Sequence, residues 1–282
     1  NSFAPGWQGS GGISLSAKGA LDSAEKHLID LLIAKSIDLP PERIIEEDDV
    51  YRLKYENDFL ELSLGDFNYS LTPLLERNTY ARGANLDVSL ERFEFGGYYR
   101  SVPYVEPPDR LAAGYVSFVP VTDQYRTSVS GVSSFEDTLM LSLMQFAQPI
   151  PELALEAEVA AEQSFAGGRD YGFRLEGEGE YEWITYSGEF VRAGPGFAGS
   201  YQDLLLFGGN IGFEFLNGQL GVATGLHRQA RNLDLDVTGA SAPLKWSYLL
   251  TSAVTLPSGD TSFAAAWNLT SRKDLLPDPS FH

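Results

Sequence analysis

Acidic side chains recur at alternate positions in residues 170–190, DYGFRLEGEGEYEWITYSGEF. One set of alternate positions is charged and consists of Arg174, Glu176, Glu178, Glu180 and Glu182. The other set is apolar or small and consists of Phe173, Leu175, Gly177, Gly179, Tyr181 and Trp183. A period of two is typical of a β-strand whose two faces meet different environments.

Two carboxylates on one face of this strand would lie about 7 Å apart, within the range of the catalytic pairs of glycoside hydrolases. Four glutamates in succession are more than such a pair, however, and none of them is singled out by its surroundings. The same pattern recurs at Glu156 and Glu158. The run therefore indicates either a hydrated acidic surface or the wall of a lumen whose field favours cations.

Other motifs give weaker support for chemistry. GPGFAG, residues 194–199, matches GxGxxG, but Gly208 and Gly209 follow before a dinucleotide-binding helix could form. We therefore predict a glycine-rich loop between two strands. The histidines His27, His227 and His282 lack metal-site spacing, and the chain has no cysteine. We predict no catalytic residue, no cofactor, no metal site and no enzymatic activity.

From Val50 onward the chain consists of alternating segments separated by turn residues. Examples are VYRLKYENDFLELSLGD, GANLDVSLERFEF and LALEAEVAAEQSF, and Asn217-Gly218 is a strong hairpin signal. Many segments run for about 9 to 12 residues, longer than the 5 to 6 usual in soluble sheets. The sequence predicts an all-β fold of about 12 to 14 antiparallel strands.

Two all-β architectures compete, and strand length with face polarity favours a transmembrane-type β-barrel over a soluble sandwich. In a barrel the charged positions face a wet lumen: Arg52, Lys54, Glu156, Glu158, Arg174, Glu176, Glu178, Glu180 and Glu182. Aromatic residues at the segment ends would form girdles at the membrane interface: Tyr98, Tyr99, Tyr181, Trp183, Trp246 and Trp267.

The first 49 residues show a different sequence pattern. We predict a flexible N-terminus, then one helix that starts near the N-cap Asp22, with Glu25 completing a capping box, and ends before Pro40-Pro41. The acidic residues 46–49 would form a solvated linker. The predicted domains are thus residues 1–49, a barrel over 50–272 and an irregular tail over 273–282.

Composition limits the partners. The 282 residues carry a formal net charge of −19, which argues against nucleic acid. No apolar run is long enough for a transmembrane helix. The N-terminus NSFAPGWQGSGG shows no targeting signal, as expected of a mature or excised chain.

A short segment resembles a known family. The strand ending in LSLGD and the later YARGANL, within residues 62–86, resemble early barrel strands of bacterial outer-membrane ushers. The resemblance implies an outer-membrane location and a conduit for a protein or polymer.

We therefore predict an outer-membrane barrel that acts as a pore, a translocation conduit or an anchor, with an acidic lumen. Its partners would be outer-membrane lipid and, beyond that, other protein subunits or a translocated polymer. The alternative is a soluble or cell-surface all-β binding module of the adhesin or carbohydrate-binding type. Solubility without detergent would distinguish the two.

Overall fold

The computed structural model describes residues 9–39, 49–102, 109–120, 124–135, 137–235, 241–255 and 262–276. Its regular structure consists of sixteen β-strands: β1 Gly9–Ala20, β2 Leu28–Leu39, β3 Val50–Glu56, β4 Leu60–Tyr69, β5 Thr79–Leu90, β6 Phe93–Val102, β7 Asp109–Phe118, β8 Tyr125–Ser134, β9 Thr138–Ile150, β10 Leu153–Ser164, β11 Arg169–Tyr181, β12 Ile184–Ala193, β13 Leu204–Phe215, β14 Leu220–Arg231, β15 Pro243–Thr255 and β16 Ser262–Asp274. No helix among these residues is long and apolar enough to cross a membrane.

The strands form one 16-stranded sheet in which each strand neighbours the next one in the sequence. The pairings whose registers are defined are all antiparallel, as in β10–β11 and β11–β12. The predicted number of 12 to 14 strands was too low. The difference lies partly in the N-terminal region, where β1 falls in the predicted flexible N-terminus and β2 falls in the predicted helix.

The predicted N-terminal helix is wrong. β1 and β2 form a hairpin in which Ala20 lies opposite Leu28. Asp22 accepts hydrogen bonds from the backbone N–H groups of Lys26 and His27, at 2.9 and 3.1 Å, and so closes the turn. Pairing of β2 with β3 supplies long-range hydrogen bonds, which override a local helical pattern of leucines.

The acidic linker lies mostly outside the described residues, which resume at Asp49. Asp49 itself is 2% exposed, and its carboxylate lies 3.9 Å from the ammonium of Lys35. For Asp49 the prediction of a solvated linker is therefore wrong. The terminal His282 also falls outside the described part of the chain.

The chain divides into two compact units. One comprises Asn1–Thr72, Glu76–Ser117 and Ser130–Glu136, and the other comprises Pro73–Leu75, Phe118–Val129 and Asp137–His282. We call them the first and second units. Residues that pair directly across neighbouring strands lie on the same face of a sheet, so the registers assign every paired residue to a face.

In the second unit the two faces have inverted burial. The face that carries Glu158 and Arg174, the polar face, is covered: these side chains belong to residues only 0% and 4% exposed. The opposite, apolar face is open, with Val159 51% and Leu175 44% exposed. A soluble protein buries its apolar face, whereas a membrane-spanning sheet exposes it.

The first unit repeats this arrangement. Lys54, Ser63, Asn85 and Tyr98 lie in one row across β3–β6 on its polar face. On the opposite face Leu86 is 45% exposed. In each unit, therefore, apolar side chains on one face are exposed and polar side chains on the other face are buried.

Turn chemistry fixes the registers in the second unit. The predicted Asn217-Gly218 turn is confirmed, with positive φ at Leu216, Asn217 and Gly218 between β13 and β14. The connections 151–152, 182–183 and 216–219 are short and lie at the end we call the short-turn end. Residues 165–168, 194–203 and 232–242 connect the strands at the long-loop end.

We expect Leu175→Arg to lower the free energy of unfolding by about 2–4 kcal/mol in lipid vesicles, because Leu175 lies mid-strand on the apolar face. The matched change Tyr171→Arg, near the end of the same strand and face, should cost about 0–1 kcal/mol. Denaturant titration of vesicle-bound protein measures both. Equal costs would contradict a lipid-facing assignment.

Candidate functional site: the carboxylates of the polar face

Three glutamates lie side by side on the polar face of the second unit. Glu176 on β11 is directly opposite Glu156 on β10 and Glu189 on β12. Like charges in directly opposite positions destabilise a sheet unless a cation separates them. The two-residue turn at 182–183 sets this register, so it creates the row.

Arg174 provides the counter-charge for the whole row. Its Nε donates to Glu189 Oε1 at 3.0 Å, and its two terminal nitrogens donate to Glu156 and Glu176. The Arg174 side chain is 5% exposed, whereas the three carboxylate side chains are 26–38% exposed. A guanidinium suits this position because its five N–H donors spread in a plane. Arg174 is the one basic side chain on the polar face of β10–β12.

The structure groups Glu156, Arg174 and Glu176, all of which the sequence predicts on the charged face, and it adds Glu189, which sequence reasoning missed. A signal for Glu189 was present, because a two-residue turn after Tyr181 places position 176 opposite position 189. The alternation instead predicts a strand that continues through Glu182 to Trp183, whereas β11 ends at Tyr181. Glu182 lies in the turn with a φ of 52°, so its assignment to the charged face is wrong.

Glu178 and Glu180 continue the polar face toward the short-turn end. Glu178 lies opposite Ser187, and Glu180 lies opposite Thr185. Both are exposed and line a cavity of about 480 Å³, together with Asn210. Within the described part of the chain, neither forms a salt bridge. Among the described residues, these two carboxylates therefore lie at the cavity without an ion-pair partner.

Glu158 and Glu162 have a different role near the long-loop end. Glu158 Oε2 accepts a hydrogen bond from the backbone N–H of Leu74 at 3.0 Å, and Glu162 accepts one from Ala198. Asp170 likewise accepts one from Gly196 at 2.6 Å. These carboxylates hold the backbone of two connecting segments against the polar face.

An apolar contact completes this attachment. Leu74 and Phe197 are fully buried. A Cβ atom on Gly172 would lie 3.1 Å from the ring of Phe197, and one on Gly199 would lie 2.5 Å from it. Only glycine allows this close approach without displacement. GPGFAG is thus a loop between β12 and β13, as predicted, and it covers the long-loop half of the polar face.

The polar face of the first unit carries its own ion pairs. Lys54 Nζ lies 3.0 Å from Glu56 and 2.9 Å from Glu61. The guanidinium carbon of Arg52 lies 5.7 Å from the ring centre of Phe67, a cation–π distance. Both predicted basic residues therefore share one face of β3.

Tyr98 is not a surface aromatic, contrary to its predicted place in an interface girdle. It is 7% exposed, and its hydroxyl donates to Glu76. Arg100, on the same face, donates to Glu76 at 2.5 Å and to Asp109 at 2.8 Å. Adjacent side chains on a strand point to opposite faces of the sheet, so Tyr98 lies on the polar face and Tyr99 lies on the exposed apolar face.

The other five predicted girdle aromatics are 38–55% exposed: Tyr99, Tyr181, Trp183, Trp246 and Trp267. Trp183 lies in the turn after β11, and its ring centre is 5.2 Å from that of Phe215. The placement of these residues at a membrane interface stays a prediction.

Histidines do not gather into a reactive centre in the described part of the chain. His27 Nδ1 lies 2.6 Å from the hydroxyl of Tyr55, and His227 Nε2 lies 3.4 Å from the side-chain oxygen of Asn210. Among the described residues, no three His, Asp or Glu side chains are grouped so that they could hold a metal ion.

The fold is that of the outer-membrane porin β-barrels. Solved structures with this fold include OccK2 (OpdF) of Pseudomonas aeruginosa in complex with glucuronate, with a TM-score of 0.58 and 14% identity over 94% of this chain and 86% of that chain. OpdK of Pseudomonas aeruginosa with vanillate has a TM-score of 0.60 and 11% identity over 95% and 89%. A BenF-like porin from Pseudomonas fluorescens has a TM-score of 0.57 and 11% identity over 95% and 87%.

These likenesses confirm the predicted all-β, transmembrane-type barrel fold. They do not support the usher-like interpretation of residues 62–86. No protein-family model matches the chain, and no curated protein matches its sequence.

We expect Arg174→Gln to lower the free energy of unfolding in zwitterionic detergent by about 3 kcal/mol, because it leaves three adjacent carboxylates without a counter-charge. Adding Glu176→Gln should recover part of this loss. The control Arg192→Gln, on the opposite face, should change stability by less than about 0.5 kcal/mol. A stable Arg174→Gln variant would show that the cluster contributes nothing to the fold.

Proposed function

We propose that the chain forms a pore in the bacterial outer membrane, through which small solutes pass along the polar face. The supporting observation is the inverted burial in each unit. Apolar side chains such as Leu175 and Leu86 are exposed, whereas charged ones such as Arg174 and Arg100 are buried. This arrangement is stable only if lipid contacts the apolar face and the polar face encloses water or protein.

The shared fold with porins supports the same proposal. Two of those structures contain glucuronate and vanillate, both of which carry a carboxylate. On this chain the polar face of β10–β12 presents one cation among carboxylates: Glu156, Glu158, Glu162, Asp170, Glu176, Glu178, Glu180 and Glu189. We infer that this part of the pore favours cationic solutes over anionic ones.

Within this set, Glu178 and Glu180 are the proposed selectivity residues. Arg174 neutralises part of the row formed by Glu156, Glu176 and Glu189. Glu158 and Glu162 bind loop backbone. Only the pair nearer the short-turn end is both exposed and free of ion pairs among the described residues, and it borders the cavity of about 480 Å³.

The alternative functions have less support. A soluble adhesin or carbohydrate-binding module would have to leave Val159, Leu175 and Phe207, each 44–51% exposed, in water. Passage of a protein or polymer, and association with other subunits, stay predictions.

In planar bilayers, we expect Glu178→Gln/Glu180→Gln to lower the cation-to-anion permeability ratio at low salt by about twofold or more. Each lost surface charge is worth about 0.5 kcal/mol, and salt should screen the effect. Reversal potentials under a salt gradient measure the ratio.

Glu182→Gln is the control, because it removes one carboxylate charge from the adjoining turn rather than from the paired strand, and each single variant, Glu178→Gln or Glu180→Gln, matches it in charge. It should leave the ratio close to that of the unmodified protein. If the double variant and this control behave alike, Glu178 and Glu180 do not line the conducting path. A chain that stays monomeric and folded without detergent would overturn the pore itself.

A further inference from the structure

Basic side chains on the apolar face of the second unit are confined to one end. Across the described residues of β9–β16 this face carries no carboxylate, and its basic residues are Arg169, Arg192, Arg228 and Lys273. Each lies near the strand terminus at the long-loop end. Elsewhere the face consists mostly of aliphatic and aromatic residues, many of them exposed.

Three of these cations lie on β12, β14 and β16, and we call them the outer basic cluster: Arg192, Arg228 and Lys273. Arg192 and Lys273 lie in one row across the sheet, through Leu205, Ala230 and Leu244. Arg228 is one position inward on the same face, two residues before Ala230. The backbones of Arg192 and Lys273 are about 19 Å apart, at about 4.8 Å per strand, so their long side chains reach a shared area beside Arg228 only when they extend toward β14.

Arg228 lacks the partner that a guanidinium in this setting requires. Its Nε is buried and makes no hydrogen bond with any described residue. Its Cζ lies 5.1 Å from the ring centre of Trp246, which is itself 38% exposed. The ring orients the guanidinium by a cation–π contact but does not supply an anion.

Two carboxylates at the long-loop end, Asp203 and Asp274, are engaged with backbone groups. Asp203 accepts the backbone N–H of Leu233 at 2.8 Å, and Asp274 accepts those of Ala242 and Leu276 at 2.9 and 3.1 Å. A cation on a lipid-facing strand is expensive at mid-membrane and tolerated near the interface, where its side chain reaches the headgroups. The position of the cluster and the unsatisfied Nε of Arg228 therefore point to the same ligand.

We propose that the outer basic cluster binds the phosphate of an anionic lipid headgroup. The guanidinium groups of Arg192 and Arg228 match phosphate oxygens in a bidentate geometry, and Lys273 adds a point charge. Trp246 packs beside the headgroup at the interface. In bacterial outer-membrane barrels the longer connections are extracellular, so the lipid belongs to the outer leaflet. This inference rests on the membrane placement proposed above.

Native mass spectrometry of the detergent-solubilised full chain, titrated with phosphatidylglycerol or phosphatidylcholine, tests this site. We expect tighter binding of the first phosphatidylglycerol than of the first phosphatidylcholine. Arg228→Gln should weaken phosphatidylglycerol binding about fivefold, and Arg192→Gln/Arg228→Gln/Lys273→Gln on the order of a hundredfold, at about 1 kcal/mol per charge. Phosphatidylcholine binding should not change.

The control variant Arg231→Gln/Lys245→Gln/Arg272→Gln removes three charges from β14–β16 on the polar face. It should retain phosphatidylglycerol binding. We call Arg192→Gln/Arg228→Gln/Lys273→Gln the outer triple variant. An equal loss of phosphatidylglycerol affinity in the control, or no loss in the outer triple variant, would overturn the site. Displacement of the lipid by inorganic phosphate alone would show a free-phosphate site and would also overturn it.

Single-channel conductance of the same proteins separates this proposal from the pore. The outer triple variant should conduct as the unmodified protein does. A chain that binds phosphatidylglycerol selectively but does not conduct would contradict the pore and leave the lipid site standing. A chain that conducts but shows no lipid preference would contradict the lipid site alone.

Discussion

Strand register is the constraint on which the rest of this structure depends. Side chains alternate with a period of two, so a slip of one residue would transfer every carboxylate of β11 to the exposed face and every apolar side chain to the covered one. The two-residue turn at 182–183 prevents that slip and sets Glu176 against Glu189. The same register brings Arg174 within reach of three carboxylates and leaves Leu175 facing outward.

The carboxylates of the polar face have different roles, although they are chemically alike. Those beside Arg174 stabilise the sheet through a partly buried ion cluster, in which removal of the cation is more costly than its presence is beneficial. Glu158 and Glu162 hold connecting segments by accepting backbone hydrogen bonds. Glu178 and Glu180 lie toward the short-turn end, where water can reach them. Along the strand, the carboxylates near the long-loop end therefore have structural roles, and those near the short-turn end are exposed to solvent.

Alternation in the sequence predicted the architecture well because it is a local property. The faces of β10 and β11 and the GPGFAG loop follow directly from residue spacing. The N-terminal helix failed because the spacing of Leu28, Leu31 and Leu32 suits a helix as well as a strand, and only pairing with β3 decides between them. The positions of Glu189 and Tyr98 in the structure depend on which strands pair and in what register. The residue spacing within a single segment does not reveal that pairing. The loop contacts of Glu158 are longer in range still, joining residues 84 positions apart.

The central claim is that the charged alternate positions of β11 face water while the apolar ones face lipid. Because the chain has no cysteine, single-cysteine variants report one position each. In lipid vesicles, a charged membrane-impermeant thiol reagent should modify Glu178→Cys and Glu180→Cys, and it should leave Leu175→Cys and Gly177→Cys unmodified until the membrane is dissolved in denaturant. Equal modification of both sets in intact vesicles, or the reverse pattern, would contradict the account.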